Sequence, residues 1–304
     1  MHAADTLQGF VFEQFAVRGY LVRLDASWRA LIEHHTYPAP VQQTLGEGVA
    51  ATLLLAATLK FDGQLILQVQ GPGPMHLMVI QTTSRFGVRG VARFRADAPL
   101  TELGLKGLSG DGQLTVTVEN QDRSSRYQGI VPLIGERFTE CFESYFERSE
   151  QLPTRLWLTA TEQGVAGLLL QRLPSGASAS TAELEHAVAS GDDDWNRVVT
   201  LAETVTPSEL VELSAEELLW RLFNEEQVRL FDASPVFFQC ACSRERVSGI
   251  LRALGEAEVR DIVAEQGSVE VRCEFCNRLW RYDPVDALGL FLAAEALSPS
   301  KLLQ

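Results

Sequence analysis

Four of the five cysteines stand near the C-terminus in two tight pairs, Cys240-Ala241-Cys242 and Cys273-Glu274-Phe275-Cys276. Thirty residues separate the pairs. Four thiolates at these spacings can converge on one tetrahedral Zn²⁺, which takes sulfur ligands readily. The same pairs can instead close as local disulfides. The segment that carries them, 235–297, has about sixty residues and a thin core, a size at which a fold often needs a metal or disulfides. Metal binding and folding of this segment are therefore expected to be one equilibrium. None of the five histidines is near the pairs in sequence, so Cys₄ is the natural ligand set, with one Zn²⁺ per chain. Four sulfur ligands leave no open position for water, which argues against a catalytic zinc hydrolase.

Local signals around the cysteines are clear. Ser243 can cap a helix that runs to Leu254 and stops at Gly255. A second helix is expected over 256–265, ending at Gly267. Val269 and Val271 lead as a strand into Cys273, and Leu279, Trp280 and Tyr282 suggest the return strand. Asp283-Pro284 then opens a final helix through Ala294. Arg272, Arg278 and Arg281 around the second pair read as the solvated edge of a knuckle.

Residues 1–180 read as a mixed α+β core domain. Leu65, Leu67 and Val69, and again Leu114, Val116 and Val118, recur with the period of two of half-buried strands. Each run follows the same tetrapeptide, Asp62-Gly63-Gln64-Leu65 and Asp111-Gly112-Gln113-Leu114. Both are taken as turn-plus-strand units of one antiparallel sheet, with an internal duplication as a weak hypothesis. Gly71-Pro72-Gly73 and Gly104–Gly110 lack the Lys-Ser/Thr ending of a phosphate loop and read as hairpin connections. Residues 45–60 are rich in Ala and Leu and look helical. Residues 136–150 place Phe138, Phe142, Tyr145 and Phe146 on one helical face, expected to pack on the sheet rather than to bind a partner. Cys141 beside that face is assigned no role.

Residues 181–234 change composition. They hold thirteen Asp and Glu against three Arg and no Lys, which is −10 of the chain's net −14. Gly191-Asp192-Asp193-Asp194 suggests a break. Thr206 with Glu209, and Ser214 with Glu217, form two capping boxes, the first with Pro207 at the first helical position. Leu218, Leu219, Leu222 and Phe223 then mark an apolar face. The segment reads as an acidic helical linker whose short helices need something to dock against.

Net charge of −14 and a pI near 4.9 argue against nucleic-acid binding, which needs clustered Lys and Arg. The longest apolar stretch, Val49–Leu59, is too short to span a bilayer, so no membrane association is expected. Met1–Arg18 carries no secretory signal pattern, so a cytoplasmic location is expected. Thiols there are normally reduced, which favours metal-binding or redox-active cysteines over static disulfides. A C-x-C disulfide closes a very small ring and would be strained and comparatively oxidising. Oxidation turns zinc ligands into poor ones, so this chemistry can act as a switch.

The cysteine pattern resembles that of the bacterial thirty-three-kilodalton redox-regulated heat-shock chaperone family. Gly63–Gly71, Tyr127-Gln128-Gly129-Ile130-Val131 and Ser149–Thr154 support the resemblance, which covers essentially the whole chain. It implies a protein that is inactive when reduced and zinc-bound. Oxidation would then form disulfides Cys240–Cys242 and Cys273–Cys276, with zinc leaving. The zinc domain (235–297) and linker (181–234) would unfold. Residues 298–304 read as a tail after the zinc domain. The product would be an ATP-independent holdase for unfolding client proteins that tends to form homodimers, and not an enzyme. The linker face Leu218, Leu219, Leu222 and Phe223 is expected to contribute to client capture. Two other readings stay open. One is a zinc-stabilised interaction module with a static metal. The other is a thiol oxidoreductase using Cys273 and Cys276, although strand patterns around that pair are unlike the helix N-terminus such enzymes use.

Overall fold

The computed structural model describes residues 5–97, 100, 104–121, 126–174 and 181–295, with 181–191 and 292–295 as backbone alone. The expected tail, 298–304, lies outside the described residues. Two units divide the chain, Met1–Gln239 and Cys240–Gln304.

The first unit opens with strands β1 (Thr6–Phe12) and β2 (Val17–Leu24) and helices α1 (Ala26–Ile32) and α2 (Ala39–Thr58). Strands β3 (Gly63–Gln70), β4 (Met75–Thr83) and β5 (Gly87–Phe94) follow, then α3 (Leu105–Ser109), β6 (Gln113–Asn120) and β7 (Arg126–Val131). Helix α4 (Phe138–Tyr145) continues as one wide π turn over Phe146–Glu150. Next come β8 (Thr154–Ala160) and β9 (Val165–Arg172). Helices α5 (Thr181–Ala202), α6 (Pro207–Glu212) and α7 (Ala215–Phe223) follow. Short strands β10 (Val228–Leu230), β11 (Ser234–Pro235) and β12 (Phe237–Phe238) end the unit.

These strands make two sheets. The first has the order β10-β1-β2-β9-β8, with β11 also on β1; the second has the order β12-β5-β4-β3-β6-β7. All pairings are antiparallel except β12 on β5. Past Gln42, Gln43 and Glu47 near its start, helix α2 is buried on every side over 48–56, which suits its largely apolar sequence there, and residues of both sheets join it in one core. Two glycines set its approach. A Cβ on Gly46 would lie 2.5 Å from Ala160 Cβ on the first sheet, and one on Gly48 would lie 2.7 Å from Ile80 Cδ1 on the second. Residues two apart point about 200° apart on a helix, so each glycine lets one sheet come close.

Helix α2 begins earlier than the expected 45–60. Pro38 precedes it and Pro40 lies in its first turn, where a missing N–H is harmless. The aromatic face of α4 packs inward as expected, with Phe138, Phe142 and Phe146 buried in the same core. Tyr145 is half-buried at its margin. Cys141 is fully buried there, and burial pushes its thiol up, so it is a packing residue.

Three local expectations need correction. Strands β3 and β6 are antiparallel neighbours, but their Asp-Gly turns differ, which removes the duplication. Gly63 has φ 154°, with Glu119 O 2.1 Å from where a Cβ would be, whereas in the other turn it is Gly110, φ 65°, that takes the left-handed backbone. Gly104–Gly110 is not a hairpin connection, because β5 and β6 are not paired. It holds α3, which turns Leu105 and Leu108 into the core. Gly71-Pro72-Gly73 does connect the hairpin β3–β4. Finally, α5 runs through Gly191–Asp194 without a break. Trp195, Val198 and Ala202 recur on one face and are buried, so tertiary packing outweighs the poor helix propensity of Gly and Asp.

That packing explains β9. Its residues Val165–Gln171 are buried without alternation. Leu169 faces α2, while Leu168 and Leu170 join a second core under the acidic helices. The first sheet is thus covered on both faces. Leu218, Leu219, Leu222 and Phe223 supply the far side of that second core and are all buried. Both capping boxes form as read, with Glu209 N–H donating to Thr206 Oγ1 and Glu217 N–H to Ser214 Oγ. No helix among the described residues is long and apolar enough to cross a membrane.

The second unit is small. Helices α8 (Arg244–Leu254) and α9 (Glu256–Gln266), the hairpin β13 (Val269–Arg272) and β14 (Leu279–Tyr282), and α10 (Pro284–Glu295) match the sequence expectations closely. Its buried apolar core is Val247, Leu251, Val259, Val269, Tyr282 and Ala287. Ser248 and the Arg244 carbonyl both meet the buried Tyr282 hydroxyl, at 3.0 and 2.9 Å.

Candidate metal centre

Each cysteine pair sits at the end of a regular element. Cys240 and Cys242 lie outside regular secondary structure just before α8, where Ser243 Oγ accepts from the Arg246 N–H at 3.2 Å. The capped helix start thus fixes where the C-x-C stretch ends. Cys273 follows β13, and Cys276 lies in the turn to β14. That turn is closed by Cys273 N–H on Arg278 O at 2.9 Å and Asn277 N–H on Cys273 O at 2.8 Å. Asn277 takes a left-handed φ of 56°, a conformation Asn tolerates better than most residues.

The four sulfurs all lie within 4.8 Å of one another. Cys240 Sγ is 3.5 Å from Cys273 Sγ, and Cys242 Sγ is 3.4 Å from Cys276 Sγ. Sulfurs about 2.3 Å from a shared zinc stand about 3.8 Å apart in a tetrahedron. The cluster therefore has the size of a Cys₄ metal site, and all four residues are thiols rather than disulfides. Both of these contacts run between the two pairs. All four side chains are half-buried, so solutes can reach the cluster.

The electrostatics favour a cation. Burial pushes the Cys240 thiol up, but the Cys242 N–H and the neighbouring sulfurs outweigh it and bring it down to about 7. Burial and the adjacent sulfurs push Cys276 well above the ordinary thiol range, and burial with the Cys240 charge raises Cys242. One thiolate forms readily and the next are resisted, because like charges this close oppose each other. A divalent ion at the centre removes that conflict. The donor set is four soft sulfurs within 4.8 Å of one another, which suits Zn²⁺. Arg281 pairs with Glu270, and the Arg278 guanidinium lies 5.3 Å over the Trp280 ring. These cations form the solvated rim expected of them.

The structure thus brings together Cys240, Cys242, Cys273 and Cys276 and leaves Cys141 apart in the other unit. The linker residues Leu218, Leu219, Leu222 and Phe223 are placed inside the second core, so their apolar face is covered in this state. The backbone ladder on the outer edge of β1 had no legible signal in the sequence, because β10 and β11 are only three and two residues long.

Known proteins agree with this architecture. The family model described as Hsp33 protein matches residues 5–283. The chain is 48% identical to the 33 kDa chaperonin of Nitrosococcus oceani over 291 residues, covering 96% of each chain. It is 44% identical to the 33 kDa chaperonin of Methylobacillus flagellatus, again over 96% of each. The crystal structure of a 33 kDa chaperonin from Thermotoga maritima matches with a TM-score of 0.79 at 22% identity, covering 97% of this chain and all of that one. Fold and sequence agree over nearly the whole length, and the chain belongs to the Hsp33 family.

Proposed function

We infer that this protein is a redox-regulated, ATP-independent holdase. In the reduced state Cys240, Cys242, Cys273 and Cys276 would hold one Zn²⁺, which when bound supplies a +2 charge and a cross-link between the two cysteine pairs. The observation that carries the reading is the convergence of these four sulfurs within 4.8 Å in a unit with a thin core. On oxidation, Cys240 would join Cys242 and Cys273 would join Cys276. Each pair gives up two electrons to one peroxide, whose O–O bond breaks to leave water or hydroxide. Disulfide sulfurs are poor ligands, so the cross-link between the pairs is lost with the metal. The second unit then loses its main stabiliser.

The linker supplies the output. Its helices α6 and α7 have six and nine residues, too few to persist undocked. Released from the first sheet, Leu218, Leu219, Leu222 and Phe223 would become an apolar surface for unfolding client proteins, and the uncovered sheet would expose its own. The resemblance of the relatives named 33 kDa chaperonin supports this chaperone role. A cytoplasmic location, homodimer formation on activation, and no role for nucleic acid, membrane or enzymatic turnover complete the reading.

Light scattering of a heat-unfolding client tests it. Chain oxidised by peroxide and then freed of oxidant should suppress aggregation, and the reduced, zinc-loaded chain should not. Equal behaviour of both forms would refute the switch and leave a static zinc module.

A further inference from the structure

The outer edge of β1 is already occupied by a strand of the same chain. Beyond α7 the backbone runs antiparallel along β1, with Leu230, Arg229 and Val228 opposite Phe10, Val11 and Phe12. Pro235 and Ser234 then lie opposite Thr6 and Leu7. Further main-chain bonds extend the ladder. Glu13 N–H donates to Gln227 O at 2.9 Å, Phe231 N–H to Gly9 O at 2.9 Å and Val236 N–H to Asp5 O at 3.0 Å. The strap then crosses to the second sheet, where Phe237 and Gln239 N–H donate to Phe86 O and Val88 O at 3.3 and 2.9 Å. The next residue in the chain is Cys240.

This strap is built to hold weakly. Its pieces are three, two and two residues long, well below a typical strand. The register on β1 also slips by one residue between Leu230 and Ser234, which interrupts the ladder as a bulge does. Beneath it lies a longer and better strand. β1 has seven residues, and Phe10 and Phe12 are buried in the second core. Uncovered, such an edge templates pairing with other chains.

The strap also displays what the edge accepts. Val228 and Leu230 alternate inward onto the core, while Arg229 between them points away, its guanidinium 5.5 Å over the Phe231 ring. This is the pattern of strand addition, in which the main chain supplies affinity and alternate apolar side chains fill the face. Unfolding proteins expose extended segments of that kind.

We propose that the β1 edge is a client-docking strand and that residues 227–239 are its built-in occupant. Once the strap lifts, an extended client segment with apolar residues at alternate positions adds to Thr6–Phe12 in the register now held by Val228–Leu230. The proposal rests on the holdase reading, in which oxidation of the adjoining cysteines frees the strap. It adds a place and a geometry for capture that burial of the linker face alone does not supply.

Hydrogen exchange of the full chain by mass spectrometry tests it, with light scattering on the same samples. Two segments are followed, 5–13 and 227–239, in reduced chain, oxidised chain, and oxidised chain with reduced, carboxymethylated α-lactalbumin as a permanently unfolded client. Oxidation should speed exchange in both segments. Client should then slow exchange in 5–13 by about tenfold or more, while 227–239 stays fast. If client is held and 5–13 stays fast, strand addition is wrong and the holdase reading survives. If both segments slow together, the strap has re-docked, and the proposal fails. Slowing of 5–13 with rising chain concentration and no client would assign the edge to a second copy and also overturn it. An oxidised chain that holds no client at all rejects the holdase reading and this proposal with it.

Discussion

Truncating Phe223 should loosen the linker without touching the sulfurs. The Phe223 ring is buried, with its centroid 5.1 Å from that of Phe12 edge-on and 6.5 Å from that of Phe10. Replacing a buried Phe by Ala costs about 3–5 kcal/mol, as lost transfer energy plus a cavity. The lower end applies here, because α7 lies at the surface of the unit and can settle into part of the space. About 3 kcal/mol corresponds to roughly a hundredfold change in the opening equilibrium, at about 1.4 kcal/mol per tenfold. Because α6 and α7 are too short to stand alone, local opening of the linker is the cheapest route to exchange. In Phe223→Ala the amides of 207–223 should therefore exchange about a hundredfold faster in the reduced protein. The reduced variant should also suppress client aggregation partly, without oxidant. Less than a tenfold change in a folded variant would refute the packing argument. Fast linker exchange in a reduced variant that still cannot hold client would refute the idea that docking silences the chaperone.

Three further outcomes are expected. Cys276→Ser should lower bound zinc well below one per chain and abolish amide protection in 244–282, measured by metal analysis and hydrogen exchange; full metal content with intact protection would reject the Cys₄ site. Gly48→Ala should lower the melting temperature, because its Cβ would meet Ile80 Cδ1 at 2.7 Å and Phe138 Cε2 at 3.1 Å. Overpacking of this kind costs about 1–3 kcal/mol, so an unchanged melting temperature would show that α2 shifts freely between the sheets. Glu47→Gln concerns pH. Burial raises the Glu47 carboxyl above its ordinary range, more than the Gln43 hydrogen bond and the Arg137 charge lower it. The folded pKa then exceeds the unfolded one, so this group's favourable contribution is full below the unfolded pKa and lost as pH rises through the folded pKa. Thermal melts across that window should show wild type losing stability relative to the glutamine variant as pH rises; parallel curves would contradict the assignment.

The two units differ in how they are held. The first has a central helix gripped by two sheets and a second core behind the first sheet. Among its described residues the second has six buried apolar residues and four clustered sulfurs. Hydrophobic burial scales with the size of a core, so loss of one ligand cluster is a large change for the second unit. Within the first unit, the acidic helices depend on docking. Their apolar face is buried, and residues 181–234 carry −10 of the chain's net −14. Glu209 and Glu217, held below the ordinary carboxylate range chiefly by the Thr206 and Ser214 N–H groups, stay ionised at their caps.

What could be read directly from the residues was the short-range part. The capping boxes at Thr206 and Ser214, the helix ended by Gly255, the left-handed Gly267 and the hairpin around Cys273 and Cys276 all formed as written. Each depends on residues within a few positions of one another, where backbone geometry leaves few alternatives. The cysteine spacing was equally legible, because a tetrahedral sulfur site restricts which residues can reach it. The long-range part was settled by surfaces meeting. Gly191–Asp194 reads as a break, yet the helix continues because Trp195, Val198 and Ala202 find a sheet to cover. Gly46 and Gly48 look unremarkable until two sheets close on one helix. Val228–Leu230 is too short to announce a strand, and becomes one because β1, more than two hundred residues earlier, offers an unpaired edge. Local chemistry is written along the chain, whereas pairing across it depends on the shape and bonding groups of a surface that exists only once the rest has folded.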